Sequence, residues 1–126
     1  MGLLSGNDEE INLFAKTENE EVFFVKSSKT AIRLGGKFVR IAKGAADNVT
    51  LQGVDSEKTI LLSAITAFQI KEPGIGVGYM QFVYPGSADT KGGTYSPIKD
   101  ENTITFTKRE KSVILSIKNA VENSLS

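Results

Sequence analysis

The sequence predicts a mainly β domain closed by one C-terminal α-helix. Three observations lead there. Between residues 22 and 106 apolar side chains recur with a period of two, in short runs separated by Gly, Pro, Asn and Asp. After residue 107 the period changes to that of an amphipathic helix. At 126 residues the chain has the size of one domain with one core.

The elements follow in order. Residues 1–20 form an acidic arm, in which Asp8, Glu9, Glu10, Glu18 and Glu20 face only Lys16. Asn7 and Glu10 have capping-box spacing, and Ile11 and Phe14 would share one face of a short helix. Residues 21–126 form the domain proper. Glu21–Lys26 reads as a strand. Ala31–Leu34 and Lys37–Lys43 flank Gly35-Gly36, a dipeptide suited to a tight hairpin turn. Val49–Gly53, Lys58–Leu62 and Ala64–Lys71 are expected as three further strands. Pro73-Gly74 marks a turn, Val77–Tyr84 a long strand, and Pro85-Gly86 the next turn. A loop of about seventeen residues rich in Gly, Ser, Asp and Lys follows, before the strand Thr103–Phe106, whose threonines are expected outside and Ile104 and Phe106 inside. Seven or eight short strands at this spacing define an antiparallel barrel or sandwich.

The helix has its own start signal. Thr107-Lys108-Arg109-Glu110 is a Ser/Thr-x-x-Glu capping box, and Val113, Ile117, Ala120 and Val121 then share one apolar stripe. A helix of about sixteen residues packed on the β structure is expected.

Composition excludes much chemistry. Fifteen basic residues balance fifteen acidic ones, so no global field draws the chain to nucleic acid or membrane. Without cysteine there is no disulfide, thiol nucleophile or thiolate metal site. Without histidine the commonest general base and metal ligand is missing. The longest apolar run, Val22–Val25, is four residues, too short for a span. The first residues carry neither a signal-peptide pattern nor a myristoylation pattern, so a cytoplasmic location is expected.

Possible catalytic or ligand motifs fail on context. Gly74-Ile-Gly-Val-Gly78 precedes a strand, whereas a dinucleotide loop must follow one and open a helix. Lys91-Gly92-Gly93-Thr94 lacks the order of a P-loop. Asp100 and Glu101 are neighbours that point apart along a strand, and Asp89, Asp100 and Glu101 lack calcium-loop spacing. No enzyme, cofactor or metal is expected.

One surface stands out. Residues 26–43 carry Lys26, Lys29, Arg33, Lys37, Arg40 and Lys43 with no acid among them. A turn at Gly35-Gly36 would pair Leu34 with Lys37, Arg33 with Phe38, Ile32 with Val39 and Ala31 with Arg40. Ile32, Leu34, Val39 and Ile41 then face the core. Arg33, Phe38 and Arg40 lie together on the outer face, with Lys29 and Lys43 at the strand ends. These five are the candidate partner-binding residues, suited to an anionic, partly apolar partner. The competing readings have a cation–π pair shielding Phe38 on an ordinary strand face, or the acidic arm covering it.

The segments Lys58–Gly74, Gly78-Tyr-Met-Gln-Phe82, Lys91-Gly-Gly93 and Asp100-Glu-Asn-Thr-Ile-Thr-Phe106, followed by a basic helix start, resemble an uncharacterised bacterial family of pleckstrin-homology-like (PH-like) domains. The likeness spans roughly residues 23 to 122. It implies a PH-like barrel capped by the helix, and a lipid- or protein-binding module rather than an assigned activity. The lysine and Lys/Arg-x-Arg pattern of phosphoinositide-binding members is missing. The leading expectation is therefore a non-catalytic module for protein interaction or assembly, homo-oligomers included. The alternatives are a peripheral module on anionic lipid, and an inhibitor occupying another protein's nucleic-acid channel. Direct nucleic-acid binding is disfavoured by the neutral charge.

Overall fold

In the computed structural model, residues 11, 13–14, 19–45, 53–86 and 102–125 are described. The first antiparallel sheet is a four-strand meander: β1 (Glu21–Val25), β2 (Thr30–Gly35), β3 (Phe38–Lys43) and β4 (Ser56–Leu61). The second is a three-strand meander of β5 (Ala67–Lys71), β6 (Gly78–Val83) and β7 (Thr103–Phe106). The helix α1 (Lys111–Leu125) follows a 3-10 turn at Lys108–Glu110. The predicted class therefore holds: two antiparallel sheets and one C-terminal helix. The predicted strand at 49–53 and the long loop before β7 fall largely on residues outside those described.

The hairpin register differs from the expected one. The two-residue turn is Gly36-Lys37, so Leu34 pairs with Val39, Ile32 with Ile41, Arg33 with Arg40 and Gly35 with Phe38. Gly36 takes φ +58° while no positive φ occurs at Lys37, the pattern of a type II′ turn with glycine at its first central position. The slide is two residues, so every side chain keeps its predicted face.

The main core joins both sheets and the helix. Val25, Ile32, Leu34, Val39, Ile41 and Ile60 from the first sheet meet Met80, Phe82, Ile104 and Phe106 from the second, and Ile114, Ile117 and Val121 from α1. Val113 and Ala120 of the predicted stripe are partly buried beside them, while Ile114 lies deeper than either. Thr103, expected to face out, is buried and accepts a hydrogen bond from Gln81 Nε2 at 3.0 Å. Lys43 Nζ donates to the Thr103 carbonyl at 2.8 Å, which ties β3 to β7 across the two sheets.

The capping box forms as its spacing predicts. Glu110 reaches back to the Thr107 N–H at 3.0 Å, and it also takes the backbone N–H of Ser27 at 2.9 Å. The Ser27 hydroxyl donates to the same carboxylate. One acid thus caps the helix and fastens the β1–β2 turn to it. Partial burial acts to raise the pKa of Glu110, but the bonds from Ser27 and Thr107 together outweigh it and hold the carboxyl below its ordinary value.

Two outcomes follow for stability. Ile117 is fully buried, so Ile117→Asp is expected to lower the unfolding free energy by about 4 kcal/mol or more. A cooperative melt matching the parent's would remove Ile117 from the core. For Glu110 the folded pKa lies below the unfolded one, so its contribution is present above the ordinary value of 4.5 and fades as pH falls through the lower folded value. Glu110→Gln should therefore destabilise the domain at neutral pH, and the gap from the parent should close on acidification below about pH 4.5. Urea titrations at neutral and acid pH measure that gap.

Candidate functional site

The five residues singled out on the first hairpin do not form one exposed surface. Arg33 is 1% exposed. Its Nε and Nη2 both lie 2.9 Å from Glu20 Oε1, its Nη1 meets Glu57 Oε2, and Nη1 also donates to the Phe14 carbonyl at 3.2 Å. Arg40, directly opposite Arg33, is half-buried; its guanidinium sits 5.1 Å over the Phe38 ring and 4.0 Å from Glu20 Oε2. Lys43 is turned onto the Thr103 carbonyl. Only Lys29 is exposed, in a left-handed conformation after the 3-10 turn at Lys26–Ser28.

The reason is that the outer face of the first sheet is covered. Ala31, Ala42 and Ala45 are fully buried on that side, with Val22, Phe24 and Val54 packed against them. A guanidinium placed among these residues must have its charge answered, and Glu20 and Glu57 answer it. Glu20 is brought in by a left-handed turn at Asn19 (φ 62°) and by a glycine opposite: a Cβ on Gly35 would lie 2.8 Å from the Glu20 Cβ. The signal that could have revealed this was β1 itself. Val22 and Phe24 are apolar on the supposedly wet face, just as Phe23 and Val25 are on the core face.

The concave feature that sequence reasoning missed lies between β5 and α1. The helix packs on β1, β2 and the 3-10 turn at Leu62–Ala64, and its outer side faces β5 across a hollow. A groove of about 410 Å³ results, lined by Ile70, Phe106, Ile114 and Leu115, with Glu72 and Lys111 at one end and Lys118 at the other. It continues past Ile70 and Lys118 into a second hollow of about 370 Å³ bounded by Ile65, Phe68 and Leu125. The charges on its rim are paired with one another: Lys111 with Glu72 at 2.8 Å and Lys118 with Glu122 at 3.0 Å. Ile70, Leu115 and Leu125 are exposed along it.

β5 borders this groove as the edge of its sheet, since it pairs only with β6 among the described strands. Natural edges are blunted by charge, bulges or cover. Of the four edge strands among the described residues, β4 carries Glu57 and Lys58 and β1 opens on Glu21, while β7 and Ala67-Phe68-Gln69-Ile70 of β5 bear no charge; of these two uncharged edges, β5 borders the groove along its length.

Gly78, last of the glycines weighed against a nucleotide loop, opens β6; a Cβ there would lie 2.2 Å from the Lys71 carbonyl. Its need for glycine comes from the β5–β6 neck. Lys91–Thr94, Asp89, Asp100 and Glu101 lie outside the described residues. Among the described residues, no group of three or more acids is placed to hold a metal, and no helix is long and apolar enough to cross a membrane.

Fold and surface together define a two-sheet β domain with a helix across its core and, among the described residues, an unpaired edge strand beside that helix. The chain belongs to the DUF4429 family, a domain of unknown function, which matches residues 32–122. Searches of curated proteins and of solved structures found no match.

The buried ion cluster makes a stability prediction. Arg33→Met should strand the Glu20 carboxylate and lower the unfolding free energy by about 3–5 kcal/mol. Adding Glu20→Gln should recover part of that loss, because the stranded charge is gone. Denaturant titrations of both variants test this, and a double variant no better than the single would mean the carboxylate is not the source of the cost.

Proposed function

We propose that this chain is a non-catalytic PH-like binding module that takes an extended segment of a protein partner as an added strand on β5. Two meanders of four and three strands with a C-terminal helix across one side support the PH-like reading. The observation that carries the function is the edge of β5, uncharged over Ala67–Ile70 and unpaired among the described strands, lying beside an apolar groove. In such an arrangement main-chain hydrogen bonds to the edge give affinity, and alternate side chains enter the groove for specificity. Because the rim charges are already paired, the segment that fits is apolar at alternate positions and carries little net charge. Assembly of the chain with itself would use the same edge.

The test uses a displayed library of random peptides selected against the full chain. Selected peptides should be apolar at alternate positions and should slow amide exchange in Ala67–Lys71. Leu115→Asp should weaken them about tenfold or more while leaving the melt unchanged, since Leu115 is exposed. Peptides indifferent to Leu115→Asp, or a β5 that exchanges as before, would count against the groove. Self-association abolished by the same substitution would make the occupant a second copy.

A further inference from the structure

The β5–β6 connection reads Glu72-Pro73-Gly74-Ile75-Gly76-Val77. Its neck is tight, because Gly78 approaches the Lys71 carbonyl as closely as only glycine allows. Its tip stands in open space: a Cβ added at Gly74 or Gly76 would meet nothing within 4 Å. Ile75 is fully exposed there and Val77 half exposed. A single exposed apolar residue is ordinary. Two on one glycine-flanked, narrow-necked tip, with cations around them, are not.

The cations come from three elements. A hollow of about 580 Å³ separates Gly74, Ile75 and Gly76 from Thr107, Lys108 and Arg109 at the helix start. Lys71 closes the base of the hairpin, and Lys111 is held there by Glu72. The Ser27–Glu110 bonds bring the turn bearing exposed Lys26 and Lys29 to the same end. Glu110, the acid of the helix start, is turned inward onto Ser27 and Thr107.

We propose that this end of the domain docks on an anionic lipid surface, with Ile75 and Val77 entering the acyl boundary and Lys71, Lys108 and Arg109 meeting headgroups, while Lys111 stays paired with Glu72. The shape selects lipid over a folded partner. The apolar residues project convexly, and a fluid apolar phase beneath an anionic face accepts such a tip. This reading goes beyond the peptide groove, since it uses the hairpin tip and helix start instead of the β5 edge.

Flotation of the full chain with phosphatidylcholine vesicles, with and without phosphatidylserine, tests it. The parent should float only with the anionic vesicles, and less so as salt rises. Ile75→Ser should weaken binding about tenfold at every salt concentration. The double variant Lys108→Ser/Arg109→Ser should weaken it about 25-fold at low salt and approach the parent at high salt. Lys37→Ser, at the β2–β3 turn, should bind like the parent. All these positions are exposed, so melting temperatures should match and loss of folding cannot mimic loss of binding. A parent that stays behind with anionic vesicles, or variants that float as it does, would overturn the proposal. So would a photo-crosslinker at position 75 that couples to a protein and not to vesicles.

Discussion

Arg33 is placed where the fold can tolerate a charge only if it is answered from elsewhere in the chain. It sits on an interior strand, opposite Arg40, on a face lined by Ala31, Ala42, Val22 and Phe24. Two guanidinium groups opposite each other repel, and removing either from water costs several kcal/mol. Glu20 and Glu57 solve both problems at once, giving a cluster of two cations and two anions whose formal charges cancel. Much local geometry follows from it. The chain before β1 must turn at Asn19 to deliver Glu20, position 35 must lack a side chain to admit it, and β4 must lie where Glu57 reaches across β3. The Phe14 carbonyl also accepts from this guanidinium, so the chain before β1 touches the first sheet there.

The other half of the structure is organised by Glu110. Its carboxylate joins the helix start to the β1–β2 turn, so α1 begins over the first sheet. Ile114, Ile117 and Val121 then run along the core, and the helix ends against the turn after β4. Anchored there, the helix leaves a hollow between its outer side and β5. The groove is thus a consequence of where the helix is anchored, and Ala67–Ile70 beside it carries no charge.

The division between what was legible and what was not is physical. Period-two alternation located β1, β2, β3, β6 and β7 nearly to the residue, because each has one dominant core face. The capping box placed the helix start, because that signal is local and chemically specific. The hairpin register was off by two residues: Gly35 looked like a turn glycine, but its role is to admit Glu20, and no local pattern distinguishes the two. Arg33 was misplaced for a related reason. Its partners lie thirteen and twenty-four residues away, and an arginine between apolar neighbours reads as solvent-facing unless the second coverage of the sheet is known. The β5–α1 groove depends on the relative placement of two elements some forty residues apart, which periodicity does not encode.

The neutral total charge acquires a meaning once the pairs are placed. The run of cations from Lys26 to Lys43 suggested one basic patch, but its two arginines are satisfied internally by Glu20 and Glu57. This suits their chemistry, since a planar guanidinium bonds carboxylates in a fixed fork and is less strongly hydrated than an ammonium. Several lysines behave oppositely, although Lys43 is turned onto the Thr103 carbonyl. Lys26, Lys29, Lys71, Lys108 and Lys111 are exposed, and the contacts of Ser27, Glu72 and the helix start gather them at one end. Meanwhile the carboxylate of Glu110 is spent on the cap and the turn, and Glu72 answers Lys111. Two arginine–glutamate pairs are thus buried beside the first sheet, and exposed Lys71, Lys108 and Arg109 lie around the loop that holds Ile75 in open solvent. A chain with no net charge can in this way present a locally cationic, apolar-tipped face that its overall composition does not reveal.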